Sequence, residues 1–150
     1  MPKTLSWNPN YSVGEPTLDA QHQKLMGLCN RLSTCLADND ERANAMFFEI
    51  LADLSAYARE HFETEESILR ACKYPRLATQ KADHAEYERH VMELLASARR
   101  GVLDKADLQK LLSSWWQDHI LIADMDYRNH VVAFNQASHQ PAEPPFLHDK

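Results

Sequence analysis

The chain has 150 residues, 44% of them hydrophobic and 25% charged, with a formal net charge of −6, a composition that fits one soluble domain with a sizeable core. The acidic balance, with no local basic cluster to offset it, argues against nucleic acid or an anionic membrane as partner, and no apolar run is long enough to span a bilayer. The start, Met1-Pro2-Lys3-Thr4, lacks a basic segment leading into an apolar one, so a cytoplasmic protein is expected. Three glycines and few β-branched alternations stand against long apolar repeats with steps of 3 and 4, which makes the chain all-α. Cys29, Cys35 and Cys72 form an odd set without a C-x-x-C pair and read as reduced thiols acting as small hydrophobes.

In chain order, residues 1–16 carry Trp7, Gly14 and several prolines and suit an irregular arm held down by Trp7 and Tyr11. Thr17 is placed to cap a first helix with the apolar seam Leu18, His22, Leu25, Cys29, Leu32 and Leu36. The cluster Asp38-Asn39-Asp40 ends that helix and caps a second, seamed by Leu51, Leu54, Ala58, His61, Glu65, Ile68 and Cys72, which must stop before Pro75. A third helix follows the seam Leu77, Gln80, His84, Tyr87, Val91, Leu94 and Ala98 and ends at Arg99-Arg100-Gly101, with the glycine suited to a left-handed cap. Asp104 and Asp107 open a fourth, seamed by Leu108, Leu112, Trp115, His119 and Ile122. Residues 131–150, with three prolines and no period, read as a tail behind a helical domain of residues 1–130. Short connections make neighbouring helices antiparallel, so the expected fold is an up-down-up-down four-helix bundle.

Each helix thus turns one histidine toward the core. A single inward histidine is more often a hydrogen-bonded core residue than a ligand. Four of them, with Glu65 one turn beyond His61 on the same face, would burden a domain whose net stability is about 5 to 15 kcal/mol, and a shared metal centre is the economical explanation. Mixed imidazole and carboxylate donors suit iron, zinc or manganese. His90, His130, His139 and His148 fall off the seams or in the tail and read as surface residues.

These residues also carry a family resemblance. His22 in Leu-Asp-Ala-Gln-His, His61 and Glu65 in His-Phe-Glu-Thr-Glu, His84, and His119 followed five residues later by Asp124 resemble the hemerythrin pattern in its bacterial branch, and Ser6-Trp7 and Val13-Gly14 are similar to that branch as well. The resemblance spans roughly residues 5–130. It implies two non-haem iron ions with a bridging oxo or hydroxo group, bridged also by Glu65 and Asp124, that bind dioxygen or another small diatomic ligand. It assigns His22 and His61 to the iron that takes the ligand, and His84, His119 and position 80 to the other. Around the open iron it places Leu25, Phe62, Trp115, Trp116 and Ile120 as pocket wall, residues that would be core in any case.

The chain leaves the family pattern at one ligand: Gln80 stands on the seam where a histidine is usual. Its amide oxygen is expected near the iron of His84 and His119, as a long ligand or through a water. Glu88 is the alternative but lies off the seam. On a straight helix His119 and Asp124 sit about 140° apart, whereas Asp126 lines up better; the resemblance favours Asp124, and a π-type widening would bring it into line. Tyr127 is either a donor to the ligand shell or a packing residue. The expected role is oxygen storage, delivery or sensing. The alternatives are a di-iron oxidase, peroxidase or nitric oxide reductase, made possible by the altered second iron, and a structural or signalling module with one metal or none.

Overall fold

The computed structural model describes residues 5–36 and 38–139. Helices α1 (Pro16–Cys35), α2 (Glu41–Ala71) and α3 (Leu77–Arg99) are followed by α4 (Lys105–Ser114), a π-helical segment (Trp115–Asp124) and α5 (Met125–His139), which run on as one fourth arm. α1 packs on α2 and α2 on α3, and the fourth arm closes against α1 and α3. The result is the four-helix bundle that the seams and short connections require. Among the described residues there is no strand, and no helix is long and apolar enough to cross a membrane.

Side chains set the helix starts by taking amides that have no partner in the first turn. Asp40 accepts from Ala43 N at 2.8 Å and Asp104 from Asp107 N at 2.9 Å. The first helix departs from expectation, because Glu15 rather than Thr17 is its cap and accepts from Leu18 N at 2.8 Å. Pro16 has no N–H to lose in the first turn and a φ already suited to a helix, so it fixes the start one residue before Thr17. α2 ends at Ala71, and Lys73 at φ 56 lets Tyr74 N bond back to Leu69 O at 2.9 Å, ahead of Pro75. Gly101, at φ 89, follows α3 in the left-handed conformation expected of it.

The arm is tied down at several points. Asn30 brackets the Leu5 backbone, accepting from its N at 2.8 Å and donating to its O at 2.9 Å. Trp7 meets Tyr11 edge-on, and Tyr11 meets Trp116 in the same way at 5.5 Å. Gly14, at φ 80, lies so close to α5 that a Cβ there would sit 2.3 Å from Val132 Cγ2. This contact corrects the expected tail: residues 131–139 continue α5, with Val131 fully buried, because the arm gives that last helical turn something to pack on. Residues 140–150, including His148, lie outside the described residues, as does the side chain of His139.

The core divides into two apolar packs. One contains Leu25, Leu54, Phe62, Trp115 and Ile120, and the other Leu18, Leu69, Tyr127 and Val131. Along α1, α2 and the fourth arm the residues between these packs are His22, Glu65 and Asp124, so the polar side chains form a belt sealed by hydrocarbon on both sides.

Candidate metal centre

The buried polar and charged side chains among the described residues are His22, His61, Glu65, Gln80, His84, His119 and Asp124. They are the seven that the sequence nominates as ligands. Apart from Gln80, their donor atoms fall into two groups, His22 with His61, Glu65 and Asp124, and Glu65 with His84 and His119; within each group the atoms lie within 4.8 Å of one another.

Both carboxylates span the two histidine pairs. Glu65 Oε2 lies 3.2 Å from His61 Nε2 and 3.6 Å from His22 Nε2, while its Oε1 lies 2.8 Å from His84 Nε2 and 3.9 Å from His119 Nε2. Asp124 repeats the arrangement, with Oδ2 3.3 Å from His22 Nε2 and Oδ1 3.2 Å from His119 Nε2. Each carboxylate therefore offers one oxygen to each group, the geometry of a bridge between two neighbouring cations.

Asp124 reaches this position because the backbone from Trp115 to Asp124 is π-helical. Hydrogen bonding to the fifth residue turns the chain through a smaller angle per residue than an α-helix does, which brings residues five apart toward one face. The widening covers ten residues rather than a single turn. It also corrects the expected seam: Ile122, three residues after His119, is 68% exposed, and the next inward side chains are Asp124 and Tyr127. Asp126 stands outside the centre, where it accepts from the Tyr74 hydroxyl and from Arg76 Nη1 at 3.2 Å.

A second ring of residues orients the first. His61 Nδ1 lies 2.6 Å from Gln21 Oε1 and His84 Nδ1 lies 2.9 Å from Glu66 Oε2. With Nδ1–H donating to these oxygens, each Nε2 lone pair is left for a cation. Tyr127 Oη donates to Glu65 Oε2 at 3.0 Å, which settles the choice left open for it. Gln21 and Glu66 escape sequence reasoning, since each simply precedes or follows a nominated residue and nothing in one chain signals a cross-helix partner.

Gln80 faces the centre through its nitrogen. Nε2 donates to Asp124 Oδ1 at 3.1 Å and to Ala123 O at 3.3 Å, and the amide oxygen is buried with no partner. In this setting the amide steadies Asp124. Glu88, the alternative to Gln80, is exposed.

Charge is balanced within the cluster. Burial opposes ionisation of Glu65, but the facing imidazoles of His119, His22, His61 and His84 hold its carboxyl well below the usual range. Asp124 moves the other way, raised by burial and by the Glu65 charge. Burial would lower His22, yet Asp124 and Glu65 outweigh it and push the imidazole up to about 9.

The nominated wall residues are all buried, in places of different character. Phe62 stacks on His84 at 3.9 Å and on Trp115 at 5.0 Å, and Trp115 stacks in turn on Tyr87. Leu25 and Ile120 belong to the same apolar pack. Trp116 lies further out, against Tyr11, beside a cavity also lined by Leu5, Cys29 and Leu112. Of the histidines read as surface residues, His90 is half-buried and pairs with Asp107 at 2.8 Å, and His130 bonds to the Cys72 carbonyl. The three cysteines are free, with Cys35 and Cys72 buried and Cys29 half-buried.

The donor set fits cations. His22 Nε2, His61 Nε2, His119 Nε2 and Asp124 Oδ2 are buried without a hydrogen-bond partner, a costly state that a metal at each group would relieve. Comparison with known proteins agrees. The family described as hemerythrin HHE cation binding domain matches residues 13–129. A bacteriohemerythrin of Stenotrophomonas maltophilia is 26% identical over 129 residues, covering 86% of this chain and 82% of that protein. One from Clostridium acetobutylicum is 28% identical over 127 residues, covering 81% and 96%. A crystal structure of a hemerythrin mutant superposes with a TM-score of 0.73 at 20% identity, covering 85% of this chain and 97% of that one, and shares the fold. The chain belongs to the hemerythrin HHE cation-binding domain family.

Proposed function

We propose that the chain binds dioxygen reversibly at two non-haem iron ions, one held by His22, His61, Glu65 and Asp124 and the other by His84, His119 and the same two carboxylates. The observation that carries this reading is the pair of buried carboxylates, each turning one oxygen to each histidine pair. When bound, paired irons supply the two electrons that reversible dioxygen binding draws on and returns. The residues of the chain do the rest. Tyr127 holds Glu65 in its bridging orientation, Gln21 and Glu66 fix the imidazole edges, and Gln80 steadies Asp124. The apolar packs around Leu25, Phe62, Trp115 and Ile120 and around Leu18, Leu69 and Val131 keep water and protons away from the bound ligand. Three unbridged cysteines accord with a cytoplasmic setting.

The test is a cycle of absorption spectra on the iron-loaded, reduced protein. An oxygen-binding protein gains a new band with dioxygen and regains its starting spectrum on degassing. Steady consumption of dioxygen, peroxide or nitric oxide with a reductant would replace this reading with a di-iron enzyme.

A further inference from the structure

We propose that divalent cations reach the buried centre through the cleft between α3 and the fourth arm, drawn in by its carboxylates and admitted beside Asp83 and His119. The proposal rests on the reading of the centre as a metal site. The cleft encloses about 580 Å³ and is lined by Asp83, Glu86, His90, Asp107, Asp118 and His119, with Lys110 the one lysine or arginine beside them. Glu86 pairs with Arg89 and Asp107 with His90, and the carboxylates Asp83, Asp107 and Asp118 outnumber Lys110 in the cleft.

His119 joins this cleft to the centre. The residue is only 2% exposed, yet it lines the cleft and its Nδ1 has no hydrogen-bond partner. Asp83 Oδ2, on a side chain 47% exposed, stands 3.6 Å from that nitrogen, while Nε2 of the same ring faces Asp124 Oδ1 at 3.2 Å. One imidazole thus presents one edge to the acidic cleft and the other to the cation-binding group. The other directions are unsuited to a hydrated ion. Along the bundle axis the two apolar packs close the belt, and hydrocarbon cannot replace a cation's water shell. The smaller cleft over Gln80 is lined by Asp83 and Asp126, the latter paired with Arg76, but by none of the histidines of the centre. The cavity beside Trp116 is lined by no carboxylate.

The experiment mixes metal-free protein with cobalt(II) in a stopped-flow instrument and follows uptake by absorbance. The double variant Asp107→Asn/Asp118→Asn is expected to load about tenfold more slowly, with a weaker dependence on salt and the same cobalt content at saturation. Glu49→Gln/Asp53→Asn removes two carboxylates that pair with Arg31 elsewhere on the surface, and is expected to load at the parental rate. Parental loading in the cleft variant, equal slowing in the control, or a lower final cobalt content in the cleft variant would each overturn the route while leaving the metal centre standing. A parent protein that takes up no cobalt would overturn the centre and the route together.

Discussion

Glu65 is met by four histidines, and without a cation those imidazoles carry the burden of neutralising it. This has a pH signature in the metal-free protein. His22 titrates at about 9 in the fold against an ordinary 6.5, and His119 is raised as well. A group held above its unfolded value contributes stability that is complete below that value and is lost as pH rises through the folded one. The thermal midpoint of metal-free protein should therefore fall between pH 6.5 and 9, and a flat or rising midpoint would show that these imidazoles are not held protonated by the carboxylates. Gln80 gives a second residue-scale prediction. Its amide nitrogen faces Asp124, so the group of His84 and His119 draws no donor from this position, where a histidine would offer an imidazole nitrogen. Gln80→His is expected to slow release of the more labile metal to a chelator, and release at the parental rate would mean that position 80 contributes nothing to holding it. The cysteines offer a simpler case: burial pushes the Cys29 thiol up to about 12, so it should resist alkylation at pH 8 in the folded protein and react once unfolded. Rapid labelling of Cys29 in the native state would contradict the raised thiol.

At the scale of elements, the apolar periodicity made α1, α2 and α3 legible because straight α-helices repeat their inward positions at steps of 3 and 4. The third-helix register followed directly, and Gln80 and His84 are both buried where that seam placed them. The same rule failed after His119. A π-helical segment advances the inward face by an extra residue, so Ile122 goes out and Asp124 comes in, and no local residue type announces the change. The shift can be measured through stability. Ile122→Ala should change the unfolding free energy by no more than about 0.5 kcal/mol, whereas Ile120→Ala, at a fully buried position, should cost about 2 to 5 kcal/mol. Equal costs at the two positions would mean that Ile122 faces the core and that the segment is an ordinary α-helix. The first cap was misread for a related reason: Thr17 is a good capping residue by type, but the proline before it fixed the start of the helix.

For the whole molecule, the order of apolar pack, polar belt and apolar pack explains how one small domain keeps seven polar side chains in its interior. The bundle and the inward histidines were readable from spacing alone. The placement of Asp124 between the two histidine pairs needed the family pattern, and the partners Gln21, Glu66 and Asp83 became visible only when the helices were set side by side. The helical extension through His139 was hidden because its packing partner, the arm at Val13 and Gly14, lies more than a hundred residues away in sequence. That belt is built for cations, and its capacity is the most direct thing to measure. Elemental analysis of protein reconstituted with iron and freed of loosely bound metal should find about two equivalents per chain. A value below about half an equivalent would contradict the assignment of His22, His61, Glu65, His84, His119 and Asp124 as the ligands of a two-cation centre.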